Sequence, residues 1–112
     1  MANPWTAVDG LIRELDSIRR IAPELSADKH VKAAVDRAIT DAARAIDLTI
    51  DGPSNPDRLL AARDALGVAE EMILALDRDL ARALRLRTRS EALRARAAHL
   101  IAAARAMSRD ER

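Results

Sequence analysis

Residues 56–84 read PDRLLAARDALGVAEEMILALDRDLARAL, and this stretch decides the fold class. Its apolar residues recur at alternating steps of three and four, which is the spacing of one helix face and not of a strand. Two interleaved series follow this heptad repeat: Leu59, Leu66, Ile73 and Leu80, and Ala62, Ala69, Leu76 and Ala83. A repeat sustained over several heptads predicts knobs-into-holes packing of the coiled-coil type. The sequence therefore predicts one long helix over about residues 56–86.

Two amphipathic helices are predicted before this one. The first should span about residues 4–21, because Asn3 suits the N-cap and Pro4 suits the first helical position. The second should span about residues 27–50 with Ser26 as its N-cap, and an Asp-Gly-Pro sequence directly after it stops the helix. Both helices carry an apolar stripe at helical spacing and charged residues elsewhere.

A fourth helix is predicted over about residues 89–107. The heptad repeat fails at Arg87, and the sequence from Thr88 to Glu91 matches a capping box, the signature of a new helix start. A new apolar stripe follows: Leu93, Ala97, Leu100, Ala104 and Met107. One bent helix that continues through Arg87 is the alternative. These elements predict an all-α protein, an antiparallel helical bundle of three or four long helices in up-down-up-down order that forms a single domain over residues 1–112.

The composition agrees with an all-α class and excludes several functions. Strong helix formers dominate, whereas aromatic residues, which sheets favour, make up only 1% of the chain. Cysteine is absent, so a disulfide, a thiolate metal site and a thiol nucleophile are excluded. No apolar run approaches the ~20 residues of a membrane span, and the N-terminal residues lack the layout of a signal peptide. We therefore expect a cytoplasmic protein that does not associate with a membrane.

Charge is divided unevenly along the chain. Residues 1–77 carry 9 basic and 14 acidic residues, a balance of −5, and residues 78–112 carry 10 basic and 4 acidic residues, a balance of +6. Four of the arginines form a stripe at helical spacing: Arg78, Arg82, Arg85 and Arg89. Such a stripe can neutralise the phosphates of RNA or DNA, which makes nucleic-acid binding an alternative function. Arginine content alone indicates no function, because a GC-rich, bacterial-like genome produces the same bias.

The lengths of the predicted helices indicate self-association. At 1.5 Å per residue, the helix over residues 56–86 should span ~45 Å and the helix over residues 4–21 only ~27 Å. Three leucines of the longer helix would then lack cover within one chain: Leu76, Leu80 and Leu84. The fourth helix adds a second face of small residues around a histidine: Ala92, Ala95, His99, Ala103 and Ala106. We therefore expect a non-catalytic protein that acts through protein–protein contact, as a homodimer or other homo-oligomer or with a separate protein partner.

One short pattern indicates a different, chemical function. Residues 94–99 read RARAAH, which places four residues between Arg94 and His99. This pattern resembles the ribonuclease motif of HEPN domains, which are all-α and of similar size, and it differs in having no polar residue after Arg94. The resemblance covers six residues and implies RNA cleavage by Arg94 and His99. No HExxH or Glu-x-x-His motif is present, so the sequence predicts no metal, no cofactor and, outside this resemblance, no catalytic residue.

Overall fold

The structure is a computed structural model that describes residues 3–86 and 90–110. Within these residues there is no strand, and helical residues make up 86%. Four long α-helices and one short α-helix follow in order: α1 (Pro4–Ile21), α2 (Lys29–Ile50), α3 (Pro56–Leu76), α4 (Arg78–Ala83) and α5 (Glu91–Asp110). One turn of 3-10 helix, Ala22–Glu24, follows α1 and completes the helical fraction. The predicted all-α class and helical bundle are confirmed. None of the described helices combines the length and the apolar character that crossing a membrane requires.

Side-chain caps set the starts of α1 and α2. The Asn3 side chain accepts a hydrogen bond from the Trp5 backbone N–H at 3.0 Å, and α1 has the predicted bounds. α2 begins at Lys29, two residues later than predicted, because Asp28 and not Ser26 is its N-cap. The Asp28 carboxylate accepts hydrogen bonds from two N–H groups of the first turn, at 2.9 and 3.0 Å. Its negative charge also favours the positive end of the helix dipole.

The predicted helix over residues 56–86 is wrong beyond Leu76. Asp77 has an extended backbone (φ −151°, ψ 98°), and its side chain accepts a hydrogen bond from the Leu80 N–H at 3.0 Å, which begins α4. An aspartate can bond the backbone in this non-helical form, and here the local cap prevails over the heptad pattern. α3 therefore has 21 residues against 18 for α1. The overhang expected from the sequence does not exist within the described residues.

α5 starts and ends later than the predicted range of 89–107. The Ser90 hydroxyl oxygen accepts a hydrogen bond from the Leu93 N–H at 3.4 Å, so the serine caps the first turn. The predicted cap residue Thr88 lies outside the described residues. Between α4 and α5, Arg85 has a left-handed backbone with a φ of 55°, which ends helical continuity. The two are separate helices, and the alternative of one bent helix is wrong.

The α2–α3 hairpin forms the centre of the bundle. Five residues connect the two helices, and Nη1 of Arg58 in α3 donates a hydrogen bond to the Leu48 carbonyl oxygen in α2 at 3.1 Å. α1 and α5 each pack against both helices of the hairpin, and α4 packs against α3. Residues 66–73 of α3 are all buried, including Glu70 and Glu71, because neighbouring helices cover this segment from several sides.

The heptad repeat predicted over residues 59–83 is buried only in the part that α3 carries from 62 to 73. Four of its residues are buried (Ala62, Leu66, Ala69, Ile73), three are half-buried (Leu59, Leu76, Leu80), and Ala83 is exposed. The repeat stops acting as one seam at Asp77, because the extended backbone there breaks the helical register.

Candidate protein-binding surfaces

α5 has one face in the core and the opposite face in solvent. Its inner face consists of three buried and two half-buried residues: Ala97, Ile101 and Ala104, with Leu93 and Leu100 beside them. The predicted interface residues of this helix are all exposed: Ala92, Ala95, His99, Ala103 and Ala106. At about 100° per residue, they all lie within roughly 40° of the direction of His99. The structure therefore places them on one surface, which we call the outer face of α5.

The other predicted interface residues pack within their own chain. Leu76, Leu80 and Leu84 are half-buried and lie against the buried core. The break at Asp77 allows α4 to pack against α3, so these leucines find cover without a second chain.

The arginines of the predicted basic stripe do not share one helix face. Arg78 and Arg82 are exposed on α4, whereas Arg85 follows the helix in its left-handed conformation and lines a groove beside α1. Arg89 lies outside the described residues. A helical spacing keeps residues on one face only while the helix continues, and α4 ends at Ala83.

Arg94 and His99, the pair that resembles a ribonuclease motif, are both exposed on α5. Because they are five residues apart on one helix, their directions differ by about 140°. Neither residue lines the two grooves described below. The structure does not bring the two side chains together within one chain.

A second group of exposed residues, absent from the sequence-based predictions, lies at the end of the bundle where α2 turns into α3. Four large apolar side chains are exposed there, by 44% for Trp5, 57% for Leu48, 45% for Ile50 and 56% for Leu60. Leu48 and Ile50 belong to the last turn of α2, and Leu60 to the first turns of α3. Trp5 lies at the same end, because the first turns of α1 and of α3 line one groove. We call these four the loop-end residues. They share one end of the bundle but not one face, because Leu48 and Ile50, two residues apart on α2, point about 160° apart.

A signal for the exposure of the loop-end residues is present in the sequence. Leu48, Ile50 and Leu60 fall outside the apolar stripes of their helices, and an apolar residue off the stripe of an amphipathic helix points to solvent. Single residues of this kind are normal on a protein surface. Only the fold shows that they gather at one end of the bundle.

A groove of about 910 Å³ lies between α1 and α3, and Leu60 is the loop-end residue that lines it. Its lining includes Leu59 and Leu60, the buried Glu70 and the exposed Arg63. Gly10 of α1 also lines it, and a Cβ atom added at Gly10 would meet no other atom within 4 Å. The groove is therefore open at this point of α1.

A smaller groove of about 230 Å³ lies between α2, α3 and α5. It is lined by His30 and Arg37 of α2, Val68 of α3 and Met107 of α5. Met107 is 60% exposed, so the apolar stripe predicted for the last helix ends at Ala104. Among the described residues, no group of three or more histidine or acidic side chains could hold a metal ion.

The outer face of α5 is the surface that these observations offer to a partner, because its exposed residues share one direction on one helix. None of the protein-family models, curated proteins or solved structures compared with the chain matches it.

Proposed function

We propose that this protein is a non-catalytic helical bundle that acts through protein–protein contact and forms a homodimer through the outer face of α5. The observation that carries the proposal is the spacing of this face around His99. Ala95 and Ala103 lie four residues before and after His99, and Ala92 and Ala106 lie seven residues before and after it. Because these offsets are equal, two copies of α5 can pair antiparallel about a two-fold axis at His99.

Such a pairing places small side chains against small side chains. Ala92 of one copy faces the partner's Ala106, and Ala95 faces the partner's Ala103. Small residues allow two helix axes to approach closely. Alanine also loses no side-chain entropy when it is ordered, so little conformational freedom opposes the contact.

The charges beside the outer face favour the antiparallel order. In this pairing Glu91 lies within two residues, along the helix axis, of the partner's Arg105 and the partner's Arg109. All three residues lie on the same flank of the outer face, and each contact occurs twice because of the two-fold symmetry. An exposed ion pair contributes only ~0–1 kcal/mol, so these charges set the orientation more than the affinity.

Self-contact explains the exposed residues of α5 better than either alternative does. A nucleic-acid site built on the predicted arginine stripe would need its members on one face, and Arg85 leaves the helix that carries Arg78 and Arg82. A ribonuclease site would need Arg94 and His99 to converge, and they point about 140° apart.

The proposal is tested by light scattering on the purified protein over a range of concentrations. The native chain should be a dimer at high micromolar concentration, and Ala103→Glu should be a monomer with its helix content kept. Symmetry makes this substitution act twice, by burying two charges opposite the partner's Ala95. Ala61→Glu, at an exposed alanine of α3, is the matched control and should leave the dimer intact. A native protein that is monomeric at high micromolar concentration contradicts the proposal.

A further inference from the structure

We propose that the groove between α2, α3 and α5 is a binding site for a small molecule that has one carboxylate and an unbranched apolar chain, which is the chemistry of a short fatty acid. The groove has a volume of about 230 Å³ and is formed within one chain. The proposal goes beyond the homodimer and does not depend on it, because Ala103 is the one residue of the outer face of α5 that also lines the groove.

The first argument is the apolar lining of the groove. Nine of its 13 lining residues are apolar, and six of these are alanines: Ala33, Ala34, Ala38, Ala65, Ala103 and Ala104. The methyl group of alanine leaves open the space that a longer side chain would fill. Val68 and Ala104 are buried at the bottom of the groove, and Met107 lines it although it is 60% exposed. An apolar chain in the groove therefore removes apolar surface from water on both sides of the contact.

The second argument is the shape of the groove. Its lining residues run from His30 to Asp41 on α2 and from Arg96 to Met107 on α5. Each range spans 11 residue steps, which is ~16 Å along a helix. The volume of about 230 Å³ lies between a cavity of ~150 Å³, which holds benzene, and the roughly 300–1,000 Å³ of sites for drug-sized ligands. A long and narrow space of this size suits an extended chain better than a ring system.

The third argument is the charge of the groove. Its four polar residues are His30, Arg37 and Asp41 of α2 and Arg96 of α5. With neutral histidine their balance is 2 − 1 = +1. A head group with a single negative charge matches this balance. A phosphate monoester carries about −1.5 to −2 at neutral pH and would leave part of its charge uncompensated.

Arg96 is the residue that receives the carboxylate. Asp41 follows Arg37 by four residues on α2, a neighbouring position at which the two charges balance each other. On α5, the positions three and four residues from Arg96 are all without an acidic side chain: Ala92, Leu93, His99 and Leu100. The planar guanidinium of an arginine can donate two parallel hydrogen bonds to one carboxylate. Arg96 therefore holds the head group while the apolar chain lies along the alanines.

Isothermal titration calorimetry with three ligands of equal chain length tests the site. Sodium octanoate should bind saturably at neutral pH with one site per chain. Octanol, which has a neutral head group, should bind at least about fivefold more weakly, and octylammonium should not bind. Each buried methylene changes an affinity by up to about fourfold, so hexanoate should bind about three- to fifteenfold more weakly than octanoate.

Charge variants separate recognition of the head group from loss of the fold. Arg96→Gln should lower the affinity for octanoate to that for octanol and leave octanol binding unchanged. Arg94→Gln is the matched control, because Arg94 is also exposed on α5 and does not line the groove. Asp41→Asn should strengthen octanoate binding, since it removes a carboxylate that repels the ligand.

A variant that fills the groove tests the place of the chain. Ala34 is half-buried and lines the groove, so the larger side chain of Ala34→Leu should weaken octanoate and octanol alike by at least about tenfold. Ala43→Leu is the matched control, because Ala43 is half-buried on α2 and lies outside the groove lining. Circular dichroism checks that both variants keep their helix content.

Equal affinities for octanoate and octanol, absence of saturable octanoate binding, or native octanoate binding by Arg96→Gln or by Ala34→Leu overturns the proposal. Ala106→Glu separates the two proposals, because Ala106 belongs to the outer face of α5 and does not line the groove. It should be a monomer that binds octanoate as the native chain does. Loss of octanoate binding in this variant, with its helix content kept, overturns a site formed within one chain. A native chain that is monomeric and binds octanoate contradicts the homodimer alone.

Discussion

α3 and α5 have almost the same length, 21 and 20 residues, but they hold different places in the bundle. Every residue of α3 from 66 to 73 is buried, whereas the buried residues of α5 are Ala97, Ile101 and Ala104. α3 packs against α1, α2, α4 and α5, and α5 packs mainly against the α2–α3 hairpin. The segment of α3 from 66 to 73 is covered on all sides and has no face left for a partner. A helix at the edge of the bundle gives one face to the core and leaves the opposite face exposed.

The comparison first predicts a difference in the free energy of unfolding between two buried isoleucines. Ile73→Ala in α3 should cost ~2–5 kcal/mol, and Ile101→Ala on the inner face of α5 should fall at the low end of that range. The reason is that the surroundings of Ile101 can relax toward solvent, while Ile73 has packed neighbours on every side. Urea unfolding measures both values. Equal losses of unfolding free energy at the two sites, or a loss below about 0.5 kcal/mol at Ile73, would show that α3 is not the central helix.

One substitution made on both faces of α5 should give the next largest effect. Ala97→Leu forces extra atoms into the packed inner face and should cost ~1–3 kcal/mol. Ala95→Leu on the outer face should change the stability of the monomer by less than about 0.5 kcal/mol. Unfolding is followed at a concentration low enough for light scattering to show the monomer. Similar costs at both positions would mean that the two faces of α5 are not distinct.

Two glycines within helices, one exposed and one buried, should respond differently to substitution by alanine. Gly10→Ala in α1 should raise the free energy of unfolding by up to ~1 kcal/mol, because alanine is the better helix former and its methyl group meets no atom. Gly67→Ala should gain less or destabilise, since the methyl group enters the buried segment of α3. Thermal unfolding of both variants checks the prediction. A loss of stability in Gly10→Ala would mean that the groove beside α1 is closed.

The smallest expected effect concerns Arg85, in the connection that leads from α3 and α4 to α5. Arg85 has a φ of 55°, a region that disfavours side chains with a Cβ atom. Arg85→Gly should therefore raise the free energy of unfolding by about 0.5–1 kcal/mol. Glycine relieves the backbone strain, and its greater conformational freedom in the unfolded chain offsets part of that gain. Arg82→Gly, inside α4, is the control and should lower it by a similar amount. If Arg85→Gly and Arg82→Gly both lower the free energy of unfolding, the left-handed turn after α4 is not formed in solution.

The sequence by itself determined the helical class and several helix starts, because these depend on interactions within three or four residues. The repeat of apolar residues along α3 predicts a helix whatever packs against it. The pair Asn3 and Pro4 begins α1 where it was predicted, since a side-chain cap and a preset φ act within one turn. The second face of α5, from Ala92 to Ala106, could also be predicted from spacing alone.

Only the tertiary structure decided which signals prevail and which faces meet. At Asp77 an aspartate cap and a continuing heptad repeat compete, and the outcome depends on whether α4 gains more by packing back against α3. The burial of Glu70 and Glu71 was not predicted, because local pattern treats a glutamate as a surface residue, and only helices distant in sequence cover these two. Trp5 and Leu60 come to one end of the bundle for the same reason, since the contacts that assemble that end join residues far apart along the chain.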